Sequence, residues 1–322
     1  MARSISIQNV YNIYIYLLPL LKIPVILSSL LLRGMVCMRL GLSSFTFTWA
    51  IGIPGYERPA DPLTHEGLVK LTRSCGLDLV QIADNLPLHR LHEEELLGLK
   101  QIADEQRVSI EVGTRGTEPE LLIAYLEIAQ TLHSPIVRTI ITTPDLAEAE
   151  RQIRQVLPAF EEADITLAIE NHGLHTTRQL VQLFESLNHS HVGCCLDTVN
   201  SFGALESPDV VIQRLVPYLA NLHIKDFEIK RVDHQLGFTI LGAPAGAGRL
   251  DYELLRESIA ANGKSDASAI LELWTPFTET VERTAELERS WMEQSVAYLK
   301  SIHFIEEKDN GHGISNVEGE SV

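Results

Sequence analysis

Four side chains able to hold a divalent cation close four short apolar runs: Glu170 in TLAIENHG, Asp197 in GCCLDTVNS, His223 in NLHIKD and Glu272 in AILELW. Three carboxylates and one imidazole form a hard, oxygen-rich donor set that suits Mn2+ or Mg2+ and tolerates Co2+ or Zn2+. The candidates are separated by 27, 26 and 49 residues. A barrel of eight β/α units in roughly 250 residues spends about 30 on each unit, so the first two gaps are one unit each and the third holds an insertion. Alternation along a strand puts Ala168 with Glu170, Cys195 with Asp197, Asn221 with His223 and Lys225, and Ile270 with Glu272 and Trp274. The opposite faces are greasier: Leu167 and Ile169, Cys194 and Leu196, Leu222 and Ile224, Leu271 and Leu273. In a barrel the greasy faces meet outer helices, and the mixed faces point inward with their last members at the mouth.

The elements that position these groups recur along the chain. Strands are predicted at Leu40–Phe45, Leu79–Ile82, Val108–Val112, Ile136–Ile141, Ile165–Glu170, Val192–Asp197, Asn221–Lys225 and Ala269–Leu273. Helical patterns separate them, among them EPELLIAYLEIAQTL with Pro119 in its first turn, a segment after Asp145 that Pro158 should kink or break, and a last helix from about Glu279 to Ile302. Eight strands alternating with eight helices predict a closed (β/α)8 barrel. Two connections are unusually long, Trp49–Asp61 and Phe227–Arg249. Both leave strand C-termini and should overhang the ligand cluster as walls or lids.

With 26 Lys+Arg against 43 Asp+Glu the net charge is −17. Such a surface repels phosphate polymers, and no local basic patch offsets it, which argues against a nucleic-acid partner. Cys37, Cys75, Cys194 and Cys195 show no metal-binding or redox spacing, so buried thiols in a reducing, cytoplasmic setting are expected. The apolar stretch 10–32 is interrupted by Pro19, Lys22 and Pro24. Residues 1–37 are read as an extension upstream of the barrel, either a start-site artefact or a membrane anchor. The barrel is expected over 38–305, with a polar, disordered tail over 306–322.

The motifs IENHG, LDTVNS, NLHIKD and LELW together resemble the sugar-phosphate isomerase/epimerase family, whose members are xylose-isomerase-like TIM barrels. In that family one metal ion is held by Glu, Asp, His and Glu in this order on the last four strands. The resemblance covers about Met38 to Leu299. It implies a divalent-metal-dependent isomerase or epimerase of a small keto sugar working through a metal-bound enediolate, with Glu170 and Glu272 as both ligands and the acid/base pair. His172, at the parity of Glu170, is a candidate hydrogen-bond donor to substrate, with a structural histidine as the alternative. Lys225 matches an HxKD motif of part of the superfamily and is a candidate general acid, with a salt bridge to Asp226 or Glu228 as the alternative. Arg115, Arg138, Glu111, Trp49 and Trp274 are candidates to complete the pocket, and an arginine at the mouth favours a phosphate or carboxylate on the substrate.

One position departs from the family pattern. Several epimerases carry DTxH, where this chain has Asn200 in DTVNS. An amide can hold a substrate hydroxyl but cannot shuttle a proton. The segments TFTWAIGIPG, VQIADNLPL, DTVNSFGALE and VDHQLGF resemble a 3-oxoisoapionate decarboxylase-like subgroup, so decarboxylation of a 3-oxo sugar acid stands as the second reading. A sugar-binding protein without chemistry is the third. DNA-repair endonucleases of the same superfamily need further histidines after earlier strands, where this chain has QIADN and EVGTR.

Overall fold

The computed structural model describes residues 38–233 and 236–304; the expected extension and tail lie outside them. Eight parallel strands close a barrel in the order β1, β10, β7, β6, β5, β4, β3, β2. They are β1 (Leu40–Ser43), β2 (Leu79–Ile82), β3 (Ser109–Gly113), β4 (Ile136–Ile140), β5 (Thr166–Glu170), β6 (Val192–Asp197), β7 (Leu219–Ile224) and β10 (Ser268–Leu271). Eight longer helices surround them: α2 (His65–Ser74), α3 (Glu93–Gln106), α4 (Pro119–Leu132), α5 (Leu146–Glu162), α6 (Thr177–Leu187), α7 (Pro208–Leu215), α8 (Tyr252–Ala261) and α9 (Val281–Ser301). A short helix α1 (Thr48–Ile51) lies in the loop after β1. Met38 N donates to Phe304 O at 3.1 Å, tying the first described residue to the last. No helix among the described residues is long and apolar enough to cross a membrane.

The predicted facing holds. Leu167, Ile169, Cys194, Leu196, Leu222, Ile224 and Leu271 join the helices in one continuous apolar layer, while Ile136, Ala168 and Cys195 form a separate small cluster inside the barrel. Burying each Leu or Ile in the outer layer contributes about 1.5–3 kcal/mol, so this layer sets the strand register. The register slips by one residue where β6 meets β7, Cys194 pairing with Leu219 and Cys195 with Asn221. That slip brings Asp197 opposite His223.

Two expectations are corrected. The segment 227–249 is no plain loop: β8 (Asp226–Arg231) and β9 (Phe238–Ala243) pair antiparallel as a hairpin. Pro158 sits inside an unbroken α5 rather than breaking it. Pro158 is exposed, and the carbonyl it leaves without a helical donor one turn back belongs to exposed Arg154, on the solvent side of the helix. Elsewhere strand and helix ends shift by a few residues, and β10 stops one residue before Glu272.

Candidate metal centre and active site

Glu170, Asp197, His223 and Glu272 converge at the C-terminal mouth, each no more than 2% exposed. Around His223 Nδ1 lie Glu170 Oε2 at 3.2 Å, Glu272 Oε1 at 3.4 Å and Asp197 Oδ2 at 4.0 Å. Ligand atoms of Asp197, His223 and Glu272 all fall within 4.8 Å of one another. Each ligand is oriented from behind. Asp197 Oδ1 accepts from the backbone N–H groups of Val199 and Asn200, which turns Oδ2 toward the cluster. Asn171 holds both the Asp197 N–H and its carbonyl, at 2.8 Å each.

The imidazole is fixed by the barrel interior. Gln81 Nε2 donates to Glu111 and Asn221, so its Oε1 is the acceptor facing His223 Nε2 at 2.7 Å. Nε2 therefore carries a proton, which leaves Nδ1, facing the carboxylates, as the nitrogen that can take either a second proton or a cation. His223 Nδ1, Asp197 Oδ2 and Glu272 Oε2 are buried without a hydrogen-bond partner. The two carboxylate oxygens are ion-paired to the Lys225 ammonium, and the close grouping of oxygen and imidazole donors fits a divalent cation. Cys195 Sγ is also near, but burial pushes its thiol well up and it donates to Asn221 at 3.2 Å, so it remains a thiol.

The two glutamates have different neighbours. Glu170 Oε2 takes Arg138 at 2.5 Å, and its Oε1 takes Asn200 Nδ2 at 2.7 Å. Burial raises the Glu170 pKa, but Arg138 above all, with His223 and Lys225, outweighs burial and holds it well below the ordinary carboxylate range. Glu272 Oε1 accepts from Ser43 Oγ at 2.9 Å, and its Oε2 lies 2.7 Å from Lys225 Nζ. Burial raises Glu272 too, but His223 and Lys225 bring it below its usual value. Asp197 Oδ2 is 2.8 Å from the same ammonium, but burial wins there and its pKa is raised. The Lys225 contacts are ion pairs whose angles are not those of hydrogen bonds to Asp197 Oδ2 and Glu272 Oε2. Burial works against the charge of Lys225, but Asp197, Glu272 and Glu170 raise its pKa and keep it an ammonium. Burial likewise lowers His223, and Glu272 with Glu170 more than restores it, so a proton competes with a cation for Nδ1.

A cavity of about 320 Å³ opens above the cluster, the size of a small-molecule site. Arg115, Arg138, His172, Asn200, Lys225, Trp49 and Trp274 all line it, with Phe45 and Glu288. Arg138 is only 2% exposed and its guanidinium is taken by Glu170, Asp84 and the Thr114 carbonyl, so it positions Glu170 rather than standing free at the mouth. Lys225 pairs with Asp197 and Glu272, not with Asp226 or Glu228. Asp226 instead gathers the backbone N–H groups of Gly246, Gly248 and Leu250, which gives the GAPAGAG stretch its role; a Cβ at 248 would collide with that carboxylate. Glu111 does not reach the cavity; it lies under His223, bonded to Gln81, Asn221 and Ser268. Gly173 (φ 78°) packs on the Asn200 loop, and a Cβ there would lie 2.8 Å from the Asn200 carbonyl. A side chain at 173 would therefore push Asn200 off Glu170.

Sequence reasoning missed Ser43, Asp84, Asn171 and Glu288. Glu288 is buried in α9 and accepts from Trp49 N at 2.9 Å and Ala50 N at 3.0 Å, while Trp49 Nε1 donates to Thr275 O at 2.8 Å. Burial pushes the Glu288 carboxyl up to about 8 against those backbone donors.

Residues 69–302 match the family described as xylose isomerase-like TIM barrel. A 3-oxo-isoapionate decarboxylase from Pectobacterium atrosepticum is 34% identical over 266 residues, 81% of this chain and 95% of that protein. Among solved structures, D-psicose 3-epimerase with D-tagatose from Clostridium cellulolyticum H10 superposes with a TM-score of 0.62 at 16% identity, over 84% of this chain and all of the other (100%). A xylose isomerase-like TIM barrel protein from Mycobacterium smegmatis in complex with magnesium gives 0.59 at 14% identity, over 81% and 97%. The extent of the family match, together with the barrel and the relative's near-complete coverage, makes this chain a member of the xylose isomerase-like TIM barrel family.

Proposed function

We propose that this protein is a divalent-metal-dependent decarboxylase of a 3-oxo sugar acid. The observation that carries the reading is the environment of Glu170. Both its oxygens are engaged by Arg138 and Asn200, an always-charged guanidinium and an amide, neither of which passes protons on. An epimerase must remove a proton on one side of its substrate and return one on the other. A decarboxylase needs a single proton delivery, after the C–C bond has broken. The 34% identical relative named as a decarboxylase supports the same choice.

Bound at Glu170, Asp197, His223 and Glu272, a divalent ion would supply Lewis acidity for the negative charge that develops on the substrate oxygens. The chain's own groups do the rest. Lys225, held as an ammonium beside Glu272, delivers the proton to the carbon that has lost its carboxylate. Glu170, fixed by Arg138, remains a charged ligand throughout. Asn200 and His172 offer hydrogen bonds to substrate hydroxyls, and the Phe45, Trp49 and Trp274 wall excludes water from the breaking bond.

The isomerase or epimerase reading keeps one observation in its favour, the pairing of two glutamates across one centre. Purified protein supplied with Mn2+ and a panel of 3-oxo sugar acids and ketoses separates the readings. Chelator-sensitive CO2 release from a 3-oxo acid is the expected result. Epimerised ketose without CO2 from any acid would overturn it, and binding without turnover would leave a sugar-binding protein.

A further inference from the structure

We propose that Asp84 is a positioning residue that sets Arg115 as the anchor for the carboxylate of the substrate, so that this pocket selects sugar acids over neutral sugars. The inference rests on the decarboxylase reading and names the group that recognises the acid. Asp84 follows β2 and Arg115 follows β3. Asp84 Oδ2 accepts from Arg115 Nε at 3.1 Å, and its Oδ1 accepts from Arg138 Nη1 at 3.0 Å. One carboxylate thus bridges two arginines, of which Arg138 is 2% exposed and Arg115 is 51% exposed.

The bridge is built on pinned backbone. Ala83 N donates to Ser44 Oγ at 2.9 Å, and Asn85 Nδ2 donates to Ser44 O at 3.0 Å, which fixes the turn carrying Asp84 to the end of β1. Thr114 N donates to Arg138 O at 2.8 Å and Gly116 N to Ile140 O at 3.0 Å, which fixes the segment carrying Arg115 to β4. With Nε committed to Asp84, both terminal nitrogens of Arg115 are left without a hydrogen bond among the described residues, and the side chain lines the cavity. Two parallel N–H donors in a fixed fork match a carboxylate.

A half-exposed arginine suits this task. A deeply buried pair would stabilise the bound carboxylate and oppose its loss as CO2, because only interactions stronger in the transition state accelerate the reaction. An exposed pair is weak, enough to orient an acid without trapping it. Arg138 is spent on Glu170, Asp84 and the Thr114 carbonyl, and Lys225 is held by Glu272 and Asp197 in its place as the proton donor, so of the three cations lining the cavity Arg115 is the one left to anchor the acid.

The test uses unreactive ligands and so does not depend on turnover. Mn2+-loaded protein is titrated with threonate and with threitol, the acid and the neutral polyol of one carbon skeleton, following fluorescence of the pocket tryptophans. Wild type should prefer the acid by up to about fivefold. Arg115→Met should abolish the preference while leaving threitol binding unchanged, and Arg115→Lys should restore part of it. Asp84→Asn should lower the preference, and adding it to Arg115→Met should lower it no further. A wild type without preference, or an Arg115→Met variant that keeps it, overturns the proposal. Equal weakening of both ligands by Asp84→Asn overturns the role of Asp84, because a merely structural residue would act that way. Acid selectivity with no CO2 from any 3-oxo acid would refute the proposed reaction and leave the anchor standing.

Discussion

Glu170 and Glu272 face each other across the proposed metal centre, yet a guanidinium and an amide stand behind the one and a hydroxyl and an ammonium behind the other. Arg138 and Asn200 hold Glu170, whereas Ser43 and Lys225 lie against Glu272. On the proposed reading, symmetric ligation would coexist with asymmetric proton chemistry. What a metal ring can catalyse is set less by its ligands than by the residues behind each of them.

The largest effect should come from breaking what both sides share. His223→Ala, or chelation of wild type, should abolish measurable turnover, with metal content read by elemental analysis. Because Glu272 and Glu170 raise the His223 pKa against burial, protons compete with the ion at Nδ1, so loading should weaken as pH falls and recover as it rises. Loading that is independent of pH would argue against His223 as a ligand.

Breaking only the Glu272 side comes next. Lys225→Met should lower kcat by about 10²–10⁴-fold, the usual worth of general acid catalysis, while the protein still takes up metal. A loss of metal together with activity would reduce Lys225 to a structural cation. On the Glu170 side the matching change acts on folding. Arg138→Met leaves a buried carboxylate uncompensated and should cost about 3–5 kcal/mol in denaturant titration without metal. The cost should shrink when metal is added, since the ion then takes up part of that charge.

The smallest expected effect lies behind the aromatic wall. Unfolded Glu288 ionises at its ordinary value, whereas the folded carboxyl stays protonated until about 8. The folded state thus binds the extra proton, and stability should decline as pH rises from about 4.5 to 8 and level off above. Glu288→Gln should flatten that slope in thermal melts across the same window. An unchanged slope would mean that the backbone donors of Trp49 and Ala50 hold Glu288 ionised.

The convergence of the four candidate ligands was legible because each lies at or beside the end of a strand whose alternation the sequence displays, and barrel closure brings such ends together. Lys225 was visible for the same reason, although its partners were not. Arg138 was expected to complete the pocket, which it lines, but that it would be spent on Glu170 depends on a neighbouring strand 32 residues away. Asp84, Asn171 and Ser43 sit at turns or strand ends among ordinary polar residues and belong to no periodic pattern. The hairpin β8–β9 was hidden because Phe238 and Ile240 are exposed, so its alternation resembles no core strand. Of the kink or break expected at Pro158, the break does not occur, because the proline falls on the exposed face of a helix held by its buried face.

The claim that proton traffic runs on one side only is tested most directly by turnover of a 3-oxo sugar acid in deuterated water, stopped partway. Mass spectrometry of both pools is compared with the His223→Ala variant as background. Deuterium should enter the product, at the carbon that lost its carboxylate, and the recovered substrate should carry none above background. Enzyme-dependent deuterium in the recovered substrate, at the carbon beside the ketone, would show a working base on the Glu170 side and contradict the account.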